Sequence, residues 1–275
     1  MSFGARLDAA LDARGSLCLG IDPHPGLLEQ WELPVDGQGL ATFAAICVAA
    51  FADLAPVIKP QSAFFERHGA EGIAVLEGTI AASREAGALV VLDVKRGDIG
   101  STMAAYADAY LDPASALSAD AITLNPYLGV GALEPAFELC ARHDAGAFVL
   151  ALTSNPEARP FQTARVEDGR TVAQVVLDDL AARNNGAAPL GSLGAVVGAT
   201  IGSTDATFDA LNGPILSPGI GAQGGTVEDV HRLFGDALRH VVPSVSREVL
   251  RQGPDIEALR NAVEQQLEQF SFLRA

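Results

Sequence analysis

Lysine is almost missing from this chain of 275 residues. Of its 18 basic residues, 16 are arginine and two are lysine, Lys59 and Lys95. A generic surface cation is therefore written as arginine here, and both lysines close apolar runs: Ala-Pro-Val-Ile-Lys-Pro-Gln at 55–61 and Leu-Val-Val-Leu-Asp-Val-Lys at 89–95. An ammonium can give up its proton where its surroundings favour that, whereas a guanidinium keeps its charge. Cysteine is also scarce and odd in number. Cys18, Cys47 and Cys140 form no CxxC, which excludes a disulfide framework and a zinc cluster and fits a reducing compartment. A clean membrane-spanning run is missing too: the longest apolar region, 40–58, contains Asp53 and Pro56 and reads as a buried helix entering a strand. The first eight residues carry charges where a signal peptide would be apolar, so a cytoplasmic location is expected. Positive charge is in deficit overall, and the net charge of −16 argues against nucleic acid or an anionic membrane as partner. Any anionic substrate must be held by local cations working against that field.

What is present is a regular alternation. Strand-like runs recur at 17–21, 56–61, 89–95, 121–125, 147–153, 194–200, 214–218 and 240–245. Segments with helical spacing lie between most of them, after an opening helix at about 3–14. Eight strands alternating with helices predict an α/β fold, a single (β/α)8 TIM barrel spanning 1–275 as one domain. The rival is a doubly wound open sheet, but no Gly-x-Gly-x-x-Gly follows the first strand. In a barrel the strand ends converge on one face, where active sites lie. Asp22, Lys59, Asp93, Lys95, Asn125 and Thr153 all fall where an apolar run stops.

The third strand carries the strongest signal. Asp93-Val94-Lys95-Arg96-Gly97-Asp98 interrupts a continuous apolar run, and strand alternation puts Asp93 and Lys95 on one face with Val94 on the other. Buried charges are costly unless paired, so the stretch is either a structural ion pair or a built site. The run 215–225, with Ser217, Pro218, Gly219 and Gln223-Gly224-Gly225, is a strand passing into a glycine-rich loop, with Thr226 as N-cap of the next helix. Such loops let backbone N–H groups approach an anion. Arg247, after the eighth strand, supplies a guanidinium beside it. A polar segment at 154–170 is placed as an ordinary surface loop or as a lid over the same face. Trp31 is expected in an exposed loop. The five histidines, His24, His68, His143, His231 and His240, show no ligand spacing and read as surface or packing residues.

On these residues the chain resembles the orotidine 5'-phosphate decarboxylase family, whose Asp-x-Lys-x-x-Asp signature is met by Asp93, Lys95 and Asp98. The resemblance continues through Asp22, Lys59, Ser217–Gly225 and Arg247, and the phrases Leu124-Asn125-Pro126-Tyr127 and Thr153-Ser154-Asn155-Pro156 look like the longer bacterial branch. It implies decarboxylation of orotidine 5'-monophosphate to uridine 5'-monophosphate (UMP), the last step of de novo pyrimidine synthesis. Lys59, Asp93, Lys95 and Asp98 would form the charged array, with Lys95 as general acid. Asp98 and Thr102 would come from the neighbouring subunit of a homodimer. Asp22 and Lys59 would hold ribose hydroxyls. Pro218, Gln223, Gly224 and Arg247 would lie at the phosphate end, and Asn125 is a further substrate-binding candidate. Thr153 or Ser154 would supply a hydroxyl near the pyrimidine. The family uses no metal and no organic cofactor. The alternatives are a magnesium-dependent sugar-phosphate decarboxylase or aldolase of the same superfamily, in which a carboxylate is expected at the second strand in place of Lys59, and a non-catalytic nucleotide-binding barrel.

Overall fold

The computed structural model describes residues 1–202, 204–219 and 226–274. The chain opens with α1 (Phe3–Arg14) and β1 (Cys18–Ile21), then α2 (Pro25–Gln30), α3 (Gly37–Phe51) and β2 (Val57–Pro60). Next come α4 (Ser62–Glu66), α5 (Gly69–Glu85), β3 (Leu89–Arg96), α6 (Gly100–Leu111), β4 (Ala121–Leu124), α7 (Glu134–Arg142) and β5 (Gly146–Leu152). After these follow α8 (Arg159–Gln162), α9 (Val172–Arg183), β6 (Leu193–Val197), β7 (Ile215–Pro218), α10 (Val227–Phe234), β8 (Val241–Val245), α11 (Arg247–Leu250) and α12 (Ile256–Gln269). The strands pair in parallel in chain order and β8 closes on β1, so the sheet is a closed (β/α)8 barrel.

Two apolar layers hold it together. The outer layer lies between strands and helices, where residues such as Leu19, Ile58, Val90, Leu92 and Ile122 meet Phe43, Leu76 and Met103. The inner layer fills the barrel, with Cys18, Val57, Val91, Phe148, Val196, Leu216 and Val242 packed together. Being buried on both faces, the strands read as continuous apolar runs rather than alternating ones. The inner layer also contains Phe3, Leu7 and Leu11, so α1 plugs the N-terminal end of the barrel. Phe3 packs edge-on against Phe148, with ring centroids 6.1 Å apart. Closing one end with apolar residues leaves the other end open for polar side chains.

Trp31 does not lie in an exposed loop as its sequence context suggests. It is 3% exposed, tilts against Phe43 at 4.2 Å and donates from Nε1 to the Leu250 carbonyl at 3.0 Å. A buried indole needs a partner for its N–H, and a carbonyl more than two hundred residues away provides it. The polar segment after β5 is not a featureless loop, since it contains a 3-10 turn (Pro156–Ala158) and α8. Thr226 caps α10 as its sequence context implies, in a reciprocal box with Asp229.

Candidate active site

At the C-terminal mouth the strands bring a carboxylate and two ammonium groups into contact. Lys59 Nζ lies 3.1 Å from Asp93 Oδ2, and Lys95 Nζ lies 2.6 Å from Asp93 Oδ1. Thr123 at the end of β4 donates to Asp93 Oδ1 at 2.7 Å and accepts from the Lys95 backbone N–H at 2.9 Å. Lys59 and Asp93 are 5% and 6% exposed, so both charges are held away from bulk water. Burial by itself would push the Asp93 carboxyl up. The ammonium groups of Lys59 and Lys95, with hydrogen bonds from Lys95 and Thr123, outweigh it and hold the pKa at about 2. The same balance keeps Lys59 charged: burial opposes its ammonium, but Asp93 and Asp22 raise its pKa above the ordinary lysine value.

The shared face of Asp93 and Lys95 is reached by a route the sequence pattern does not predict. Simple alternation fails at the strand end: Lys95 adopts φ 46° and the β3–β4 register shifts between Leu92 and Arg96. A left-handed lysine is a strained conformation. Here it turns Lys95 back over Asp93 while Val94 stays buried. Arg96, the next residue, is anchored outside the array by Glu66 at 2.6 Å and by the Tyr106 and Tyr110 rings.

The array lines a cavity of about 460 Å³ whose wall includes Asp22, His24, Gln61, Thr153, Ser154, Pro218 and Arg247. Asp22 Oδ1 is buried without a hydrogen-bond partner among the described residues, a state that a ligand donor would relieve. The approach of chain to chain here is close. A Cβ on Gly20 would come within 1.9 Å of Ser246 Oγ, so only glycine lets β1 pass under the residue preceding Arg247. The predicted residues Gln223 and Gly224 lie outside the described residues. Asn125 does not line this cavity. Its backbone N–H bonds the Arg96 carbonyl and its side chain accepts from the Tyr127 N–H at 3.1 Å, on the wall of an adjacent cleft. Asp98 and Thr102 also stand off the cavity of their own chain: Asp98 accepts from Ile99 N–H at 2.8 Å, beside an Ile99 side chain that is 61% exposed.

Besides Thr123, three residues about the site were not singled out from sequence. His24, read there as surface or packing, is on the cavity wall with its ring 4.1 Å from Phe64. Gln61 stands between the acid and the ammonium. With its amide nitrogen turned toward Asp93 it donates to Oδ2 and accepts from Lys95 Nζ at 3.3 Å. Its position two residues after Lys59, where a parallel bridge joins residue 61 to Asp93, is the one signal that could have found it. Gln162 on α8 clamps Thr153, accepting from its backbone N–H at 2.8 Å and donating to its hydroxyl at 3.0 Å. The Thr153 hydroxyl in turn donates to Asn155 Oδ1 at 2.7 Å.

A closed barrel with an alternating lysine–aspartate–lysine array at its C-terminal mouth, and an arginine lining the same cavity, defines a (β/α)8-barrel enzyme. Residues 15–262 match the family model described as Orotidine 5'-phosphate decarboxylase / HUMPS family, and the chain belongs to that family. It is 60% identical over 266 residues to the orotidine 5'-phosphate decarboxylase of Salinispora tropica, covering 97% of this chain and 96% of that one. The corresponding Streptomyces coelicolor enzyme is 58% identical over 262 residues, covering 95% and 94%. A solved structure from Streptomyces avermitilis superimposes with a TM-score of 0.96 at 56% identity, covering 99% of this chain and 96% of the other. Leishmania donovani UMP synthase gives a TM-score of 0.81 at 32% identity, covering 100% of this chain and 56% of that one.

Proposed function

We propose that this enzyme removes CO2 from orotidine 5'-monophosphate to give UMP, with Lys95 as the general acid. The observation that carries this is the charge order Lys59–Asp93–Lys95 at contact distance on the wall of a cavity that Arg247 also lines. Breaking the C6–carboxylate bond leaves an electron pair in the plane of the pyrimidine, out of reach of ring resonance. The site must stabilise that charge with fixed groups already in place. It must also deliver a proton to C6. Lys95 combines the two tasks: its ammonium is the nearby cation, its proton goes to C6, and its neutral amine regains a proton from solvent. Asp93, kept ionised by its two lysines, would lie against the substrate carboxylate and disfavour the ground state relative to the transition state.

Around this centre, Asp22 and Lys59 would hold the ribose hydroxyls and Arg247 the phosphate, with Pro218, Gln223 and Gly224 at the same end. Thr153 or Ser154 would supply the hydroxyl near the pyrimidine, and Thr153 donates its own to Asn155 while accepting from Gln162. Asp98 and Thr102, standing off their own cavity, would complete the site of a second copy in a homodimer. The magnesium-dependent alternative wants a carboxylate where Lys59 stands, and Lys59 is already committed to Asp93. The decisive experiment is an ultraviolet assay of orotidine 5'-monophosphate with and without a chelator. Turnover should persist with chelator and be abolished in Lys95→Ala while the circular dichroism spectrum stays unchanged. Near-normal turnover in Lys95→Ala would remove it as the acid, and loss on chelation would favour the metal-dependent chemistry.

A further inference from the structure

Next to Arg247 the cavity holds a second group suited to an anion. β1 and β8 are hydrogen-bonded neighbours, with Cys18 opposite Ser244 and Leu19 opposite Val245, so the loop after β1 and the start of α11 rise side by side. His24 is on the first of these and Arg247 on the second, and both line the cavity. His24 occupies the N-cap position of α2 but its side chain caps nothing, and its imidazole makes no hydrogen bond among the described residues. The ring is half-buried and held against Phe64, with centroids 4.1 Å apart and planes at 59°. Burial pushes its pKa below the ordinary histidine value, Asp22 works in the opposite direction, and Arg247 lowers it further. A neutral imidazole offers one N–H donor. Beside it, Asp22 Oδ1 is buried and likewise without a partner among the described residues. Polar groups left unpaired on one wall mark a hydrogen-bond set that a ligand completes.

We propose that His24 is a substrate-binding residue: its imidazole N–H donates to the phosphate that Arg247 holds, and Phe64 fixes the plane of the ring. This rests on the nucleotide reading of the cavity given above. An uncharged donor beside a guanidinium adds direction to the phosphate contact without adding a second fixed charge. It also gives the short loop after β1 a role at both the ribose and the phosphate, through Asp22 and His24.

The test uses the full-length enzyme with UMP and inorganic phosphate as probes. In His24→Ala, the Kd for UMP and the inhibition constant of inorganic phosphate should each rise by about tenfold or more, the range expected for a hydrogen bond to a charged group. His24→Asn, which keeps a donor, should lose less. The double variant with Arg247→Ala should show a UMP loss smaller than the product of the two single losses, because both side chains act on one phosphate. The proposal is overturned by an unchanged Kd for UMP, by losses that multiply independently, or by weaker UMP binding with unaltered phosphate inhibition, which would place the contact on the ribose. Both probes bind without turnover, so failure of the unsubstituted enzyme to decarboxylate orotidine 5'-monophosphate would count against the decarboxylase assignment and leave the His24 result readable.

Discussion

At the scale of residues, the contrast between two buried aspartates separates structure from chemistry. Asp120 sits near the N-terminal end of the barrel and takes Arg6 at 2.7 Å, Arg84 at 3.1 Å and the Val90 N–H at 2.9 Å. Asp93 sits at the opposite end and takes both lysines of the chain. Each carboxyl is held below its ordinary pKa, so electrostatics alone does not tell them apart. The choice of cation does: Asp120 is paired with arginines, and Asp93 with the two lysines of a chain that otherwise writes its cations as arginine. Removing Asp93 leaves the Lys59 ammonium buried without its nearest counter-charge, so Asp93→Ala should abolish turnover and destabilise the fold by about 3 kcal/mol, measured by urea unfolding. The depressed Asp93 pKa also sets a pH window. The folded state gives up this proton more readily than the unfolded chain, so the contribution is fully present above about pH 4 and fades as pH falls toward about 2. Between about pH 4 and pH 3, Asp93→Asn should therefore lose less stability than the unsubstituted protein.

At the scale of elements, α1 and α8 have roles that their sequences do not announce. The pattern of residues 3–14 predicts a helix, and a helix is there, but its function as a plug follows from Phe3 lying inside the barrel layer. Phe3→Ala would open a cavity against Phe148 and should cost about 3–5 kcal/mol, read as a fall in the denaturant midpoint. The distant mouth should keep its KM under conditions where the variant is folded. α8 acts at the other end. Gln162 ties the 154–170 segment to Thr153, and Phe161 packs on Tyr127 with ring centroids 5.4 Å apart. Gln162→Ala removes the bonds to the Thr153 hydroxyl and backbone N–H together, so kcat/KM should fall by about tenfold with little change in thermal midpoint, as steady-state assays and a melting curve would show.

At the scale of the whole molecule, the proposed site would be shared between two copies. Ile99, Tyr127 and Leu128 are 61%, 70% and 52% exposed close to Asp98 and the array, an apolar margin suited to burial against a second chain. If Asp98 acts in its neighbour's site, two inactive homodimers repair each other. Mixing Lys95→Ala with Asp98→Ala should restore about a quarter of the unsubstituted activity once subunits have exchanged, because each hybrid dimer holds one intact site. No recovery after exchange, verified by native mass spectrometry, would return Asp98 to its own chain.

The barrel and the gathering of Lys59, Asp93 and Lys95 at its mouth were legible from the amino-acid order alone. Apolar runs alternating with helical segments leave few other folds, and polar residues at strand ends have one face on which to gather. How that face is built came from the packing of distant segments. The left-handed turn at Lys95, the Gln61 amide between Asp93 and Lys95, the Gln162 clamp and the inward position of His24 all depend on neighbours remote in the chain or on a local backbone reversal. Periodicity reports which face of a strand a residue occupies while the strand is regular. At its end, where the charged array lies, the strand is no longer regular and contacts from other elements take over.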